Sequence, residues 1–117
     1  MSKARKAKMK RKSKKSAPDA RMKLLALIAK IPRGKVSTYG AIARAAGIVN
    51  GARQTARALR GAHGLPWQRV LGAGGAIKLT GEHAFEQRFR LQSEGVTFRG
   101  KRVDMKLHEH RFRTRAK

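Results

Sequence analysis

Apolar residues begin to recur at helical spacing just after residue 19. Met22, Leu25, Ile28 and Ala29 fall at i, i+3, i+6 and i+7, which predicts an amphipathic helix with these side chains toward the core. Asp19 stands where an N-cap would accept the first free backbone N–H groups, and Pro32 and Gly34 end the run. A shorter cluster, Ile42, Ala43 and Ala46, follows Ser37 and Thr38, either of which can cap it, and Gly47 stops it. From Ala52 to about Ala62 a third helix is predicted, with Ala52, Thr55, Ala56 and Leu59 on one side. Its other side carries Arg53, Arg57 and Arg60 at i, i+4 and i+7. Two short helices around a glycine-containing turn, the second one basic, have the pattern of a helix-turn-helix.

Farther on, "RVLGAGGAIKL" predicts two short strands around a glycine turn, a hairpin placed where a wing would be. "GAGGAIK" lacks the Gly-Lys-Ser/Thr ending of a P-loop, so a hairpin turn is the better reading. "GEHAFEQRFRLQSEG" predicts the last helix, with Phe85, Phe89 and Gln92 inward and Gly95 as C-cap. "VTFRGKRVDMKLHEHRFRTRAK" is expected to be a short strand fading into a basic tail. Pro66 and the bias it places on Leu65 put Trp67, the one tryptophan, at a turn or the start of a strand. The expected fold is mainly α with a small β-hairpin, a winged helix-turn-helix-like DNA-binding domain.

Charge gives this outline a partner. The 117 residues hold 30 Lys and Arg against 6 Asp and Glu, a formal net charge of +24. The acids are Asp19, Glu82, Glu86, Glu94, Asp104 and Glu109, so residues 20–81 contain none. Self-repulsion on that scale disfavours a compact state unless a polyanion is bound, and double-stranded DNA is the expected partner. Residues 1–17 carry nine Lys and Arg, no acid and few apolar side chains. They are expected to be a disordered basic arm that adds sequence-independent affinity for nucleic acid. The domain is then expected at 18–112, followed by a basic tail at 113–117.

Several chemistries are excluded or left without support. The absence of cysteine rules out disulfides, thiolate metal sites and a cysteine nucleophile. His108 and His110 flank Glu109, but two ligands do not close a zinc site. His63 is a lone loop histidine, and Ser37 has no base nearby in sequence. No catalytic residue, metal or cofactor is expected. With no apolar run of membrane-spanning length and no signal-peptide pattern, a cytoplasmic, nucleoid-associated monomer is the expectation.

Four stretches, "IPRGKVSTYGAIARAAG", "ARQTARAL", "LPWQRVLGAGGAI" and "LQSEGV", occur in the order found in one family. Over residues 20–112 the chain resembles the C-terminal domain of O6-alkylguanine-DNA alkyltransferases. "PWQRV" stands where that family has Pro-Cys-His-Arg-Val, so the resemblance is to its alkyltransferase-like members. It implies that Trp67 takes the place of the methyl-accepting cysteine at the floor of a pocket for a flipped guanine. Gln68 replaces the activating histidine, which leaves alkyl transfer without nucleophile or base. Arg53 matches the finger that fills the gap left by the extruded base, and Tyr39 matches the tyrosine that helps rotate the 3′ phosphate. Arg69 and Glu94 match structural positions that hold the pocket loop, and Gln68, Arg69, Gly74 and Gly75 are expected at the lesion pocket with Trp67. Arg57 and Arg60 add charge to a recognition helix that the family lays in the minor groove. Thr55 and Ala56 replace a Val-Gly pair, which implies a helix slightly farther from DNA. The function implied is a non-catalytic sensor of O6-alkylguanine that directs lesions to nucleotide excision repair proteins. The alternative is a general winged-helix or nucleoid-associated protein with a vestigial pocket.

Overall fold

A computed structural model describes residues 20–112; residues 1–19, with the expected basic arm and the Asp19 cap, and the tail 113–117 lie outside them. The first helix, α1, covers residues 20–29. Its buried stripe is Leu24 and Ile28, continued by Ile31, while Met22 is 64 % exposed. This corrects the expected face. "LLALI" is apolar nearly all round, so its spacing alone cannot select the stripe that leads into Ile31.

After the Pro32–Gly34 turn, β1 (Ser37–Thr38) runs directly into α2 (Tyr39–Ala45). Thr38 caps the helix, its hydroxyl accepting from the Ala41 N–H at 3.0 Å. Ile42 and Ala43 are buried, and Gly47 at φ 81° takes the chain out of the helix. The turn to α3 (Ala52–Arg60) depends on Gly51, where a Cβ would lie 2.4 Å from Ile48 Cγ2. On α3 the buried residues are Thr55 and Ala58, while Ala52 is exposed and Ala56 and Leu59 are half-buried. The expected inward side is thus rotated toward Ala58. Thr55 anchors it, donating to the Tyr39 carbonyl at 3.0 Å and the Gly51 carbonyl at 3.3 Å.

The expected hairpin at residues 69–79 does not form. Trp67–Arg69 make one 3-10 turn, and β2 (Val70–Leu71) then pairs in parallel with β1, Ser37 opposite Val70. A second tight turn at Ala73–Gly75 follows, closed by the Gly72 N–H donating to Ala76 O at 2.7 Å. Gly75 is held at φ 88°, where a Cβ would meet the Val103 carbonyl at 2.7 Å. The hairpin lies later, β3 (Phe98–Arg99) antiparallel to β4 (Arg102–Val103), with Gly100 at φ 66° in its turn. Strands of two residues are too short for alternation to reveal, and the β1–β2 pairing is non-local.

Helix α4 (Gly81–Ser93) brings the largest departure. Gln87 and Leu91 are its buried residues, whereas Phe85 and Phe89 are 75 % and 64 % exposed and Gln92 is exposed. The core-facing side includes a glutamine, so apolar spacing selects the wrong side. Gly95 at φ 88° follows the Glu94 cap, and the Val96 N–H returns to Leu91 O at 3.0 Å. The short strand expected at this end is present as β3, and beyond β4 the chain forms the short helix α5 (Met105–His108) instead of fading out. The His108 ring ties this end to the middle of the chain: the Thr97 N–H donates to Nε2 at 3.0 Å, and Nδ1 faces Gly34 O at 3.1 Å.

The core has two adjoining parts. Leu24, Ile28, Ile31, Ile42, Ala58 and Val70 join α1 to the helix pair, and Val36, Leu71, Leu91, Val96 and Val103 join the strands to α4. Both parts meet at β2, directly after the Trp67–Arg69 turn.

Candidate nucleic-acid interface

A cleft of about 460 Å³ opens between α3 and α4. Tyr39, Ala56, Leu59, Arg60, Trp67, Leu79, His83 and Glu86 line it. Trp67 is half-buried, neither sealed in the core nor free in solvent. The Arg90 guanidinium lies 5.5 Å from its ring centroid and is held in turn by Glu86 at 2.7 Å. Tyr39 reaches the same cleft from α2. Burial raises its phenol pKa, opposed by the nearby Arg60 charge, so the hydroxyl stays protonated at neutral pH.

The residues after Trp67 turn the other way. Successive side chains in a 3-10 turn are about 120° apart, so Gln68, 7 % exposed, points inward. Its Nε2 donates to Glu94 Oε2 at 2.7 Å. Arg69 grips the same carboxylate, Nε to Oε1 at 2.9 Å and Nη2 to Oε2 at 3.0 Å, and donates from Nη1 to Ile31 O at 2.8 Å. Burial works to raise the Glu94 pKa; the bonds from Arg69 and Gln68, the Arg69 charge and the Gly34 backbone overcome it and bring it below the usual carboxylate value. From the same helix the buried Gln87 Nε2 donates to the carbonyls of Gln68 at 3.1 Å and Val70 at 2.9 Å. Helix α4 therefore holds both the backbone and the side chains behind the turn that presents Trp67.

On α3, Arg53, Arg57 and Arg60 are all exposed. Among the described residues none of the three has a salt-bridge partner. Exposed cations spaced along one helix face suit a phosphate backbone.

The family model for the 6-O-methylguanine DNA methyltransferase DNA-binding domain matches residues 19–96. The chain belongs to this family. A DNA base-flipping protein of Vibrio parahaemolyticus is 41 % identical over 78 residues, covering 64 % of this chain and 78 % of that one. Alkyltransferase-like protein 1 of Schizosaccharomyces pombe is 45 % identical over 74 residues, covering 59 % and 68 % respectively. The crystal structure of S. pombe Atl1 in complex with damaged DNA containing O6-carboxymethylguanine superposes with a TM-score of 0.68 at 32 % identity. That superposition covers 80 % of this chain and 96 % of the other. The fold is thus the DNA-binding fold of the methyltransferase family, carried by α1 through α4.

Within this methyltransferase-family domain the expected site residues divide. Trp67, Tyr39 and Arg60 line the α3–α4 cleft, and Arg53 and Arg57 lie on the exposed face of α3. Gln68 and Arg69 are not on the cleft wall but behind it, on Glu94. Gly74 lines a neighbouring depression of about 530 Å³ that also includes Tyr39, Gly40, Arg44 and Lys78. Gly75 is buried against Val103. The glycine stretch is placed there because β2 pairs with β1 instead of folding back on itself. Sequence reasoning missed Leu79, His83 and Glu86 as cleft residues; His83 and Glu86 sit at i and i+3, a signal readable only once the buried side of α4 is known. Among the described residues no group of three or more His, Cys, Asp or Glu could hold a metal ion, and no helix is long and apolar enough to cross a membrane.

Proposed function

We propose that this protein is a non-catalytic sensor of O6-alkylguanine in duplex DNA, which turns the modified base into the α3–α4 cleft against Trp67 and directs the lesion to nucleotide excision repair. The observation that carries this reading is the half-buried Trp67 ring lining a cleft of about 460 Å³ beside an exposed arginine face. That volume falls within the roughly 300–1,000 Å³ of ordinary ligand sites. An indole there can stack on a flipped base, and base–aromatic stacking contributes about 1–3 kcal/mol, against a few kcal/mol to unstack the base. In this reading Arg53 fills the vacated stack, Tyr39 guides the adjoining phosphate, and Arg57 and Arg60 contact the backbone. The relatives named for base flipping and the Atl1 complex with damaged DNA support it.

Transfer of the alkyl group has no route in this chain. It has no cysteine to receive it, and the Gln68 amide, committed to Glu94, is no base. The test is a gel-shift comparison of matched duplexes with and without one radiolabelled O6-methylguanine. Preferential binding with all label left on the DNA is expected. Stoichiometric label on the protein contradicts the non-catalytic reading, and equal binding of both duplexes favours a general winged-helix DNA-binding protein.

A further inference from the structure

The Trp67 cleft has two unlike walls. Ala56, Leu59 and Arg60 of α3 form one, and His83 and Glu86 of α4 form the other, with Leu79 just before that helix. Of the residues that line it, Glu86 alone carries a carboxylate. Arg90 binds this group through one oxygen only: its Nη2 and Nε both donate to Oε2, at 2.7 Å and 2.8 Å. Among the described residues Oε1 has no hydrogen-bond partner, and both side chains of the pair are about half exposed. Glu86 is the member of the pair that lines the cleft, whereas Arg90 lies 5.5 Å from the Trp67 ring centroid. The α4 wall therefore presents the free acceptor oxygen of a carboxylate.

We propose that Glu86 sets which O6 substituents the cleft accepts, favouring neutral groups, above all those with an N–H or O–H to donate, over anionic ones. The inference rests on the lesion-sensor reading, in which the duplex lies on the arginine face of α3 and the flipped nucleotide stays joined to it through its sugar. The edge of a guanine farthest from its sugar carries O6, so a base crossing the cleft from α3 brings its O6 substituent to the α4 wall. A carbamoylmethyl or hydroxyethyl group there can donate to Glu86 Oε1. A methyl group leaves that oxygen to water at the half-exposed wall. A carboxymethyl group is charged at neutral pH and sets a second carboxylate against the first, with no proton to donate. Neither nearby cation cancels the repulsion. Arg90 is already committed to Oε2, and Arg60 belongs to the α3 wall, where the phosphates of the duplex compete for its charge.

The test titrates the full chain with four otherwise identical labelled duplexes, holding guanine, O6-methylguanine, O6-carbamoylmethylguanine or O6-carboxymethylguanine at one position, with binding followed by anisotropy. The last two adducts have nearly the same shape and differ in charge, so the ratio of their affinities isolates the charge. The parent should bind the carbamoylmethyl duplex roughly tenfold more tightly, toward the water-screened end of the range for two like charges about 4 Å apart. Glu86→Gln should bring the ratio near one, and Glu86→Lys should reverse it. Because Glu86 is half exposed, neither change disturbs the core. A ratio near one in the parent, or a preference that both substitutions leave in place, overturns the proposal, and tighter binding of O6-methylguanine than of guanine in the same titrations keeps the sensor reading. Equal binding of all four duplexes overturns both.

Discussion

Trp67 and Gln68 are neighbours in sequence with opposite surroundings. The indole lines the cleft, while the amide is buried on Glu94. Trp67→Ala should weaken binding to an O6-methylguanine duplex by about 1–3 kcal/mol and leave unmodified DNA unaffected, since an intact stack does not enter the cleft. Parallel titrations of the two duplexes check this; equal loss on both would make the ring a core residue. Arg53→Ala should likewise cost about 1–3 kcal/mol on the lesion duplex, because the gap left by the base goes unfilled. Arg57→Ala should weaken both duplexes alike, as a phosphate contact does. Identical behaviour of the two variants would remove Arg53 from the finger role. The motif around Trp67 was legible in the sequence because its order of residues is specific. The inward turn of Gln68 and Arg69 was not, since it follows from a 3-10 turn whose pitch leaves no spacing signature.

Helix α4 acts as the clamp behind the site through Gln87 and Glu94, two turns apart on one side. Glu94 links that clamp to pH. Its folded-state pKa is depressed, so its contribution to stability is present above the unfolded carboxylate value and is lost as pH falls through the lower folded value. Glu94→Gln should lower the melting temperature at neutral pH and make it less dependent on pH in the acid range. Melting scans from neutral to strongly acidic pH check this, and an unchanged acid limb would show that other carboxylates govern it. The helix-turn-helix was legible because α2 has a clear stop at Gly47 and α3 a one-sided arginine stripe. The orientation of α4 was not: the core accepts Gln87 for its two bonds to backbone carbonyls and excludes Phe85 and Phe89. Apolar spacing cannot anticipate a buried amide.

At the scale of the whole molecule, charge is arranged to meet a polyanion. The helix pair lies in the acid-free segment 20–81, and five of the six acids lie from α4 onward, at positions 82, 86, 94, 104 and 109. Deleting residues 1–17, with their nine Lys and Arg, should lower affinity for any duplex and reduce its salt dependence while sparing lesion preference. Each phosphate contact contributes about 0.9 to the log–log salt slope, so roughly four contacts would remove about 3–4 units. An unchanged slope would show that these residues do not touch DNA. The central claim is that a flipped, alkylated base meets Trp67. Because the chain has one tryptophan, fluorescence reports on that ring alone. Titration of the intact chain with matched duplexes, one carrying a single O6-methylguanine, should quench the emission and give tighter binding on the modified duplex only. Equal affinities with indistinguishable emission on both would contradict it.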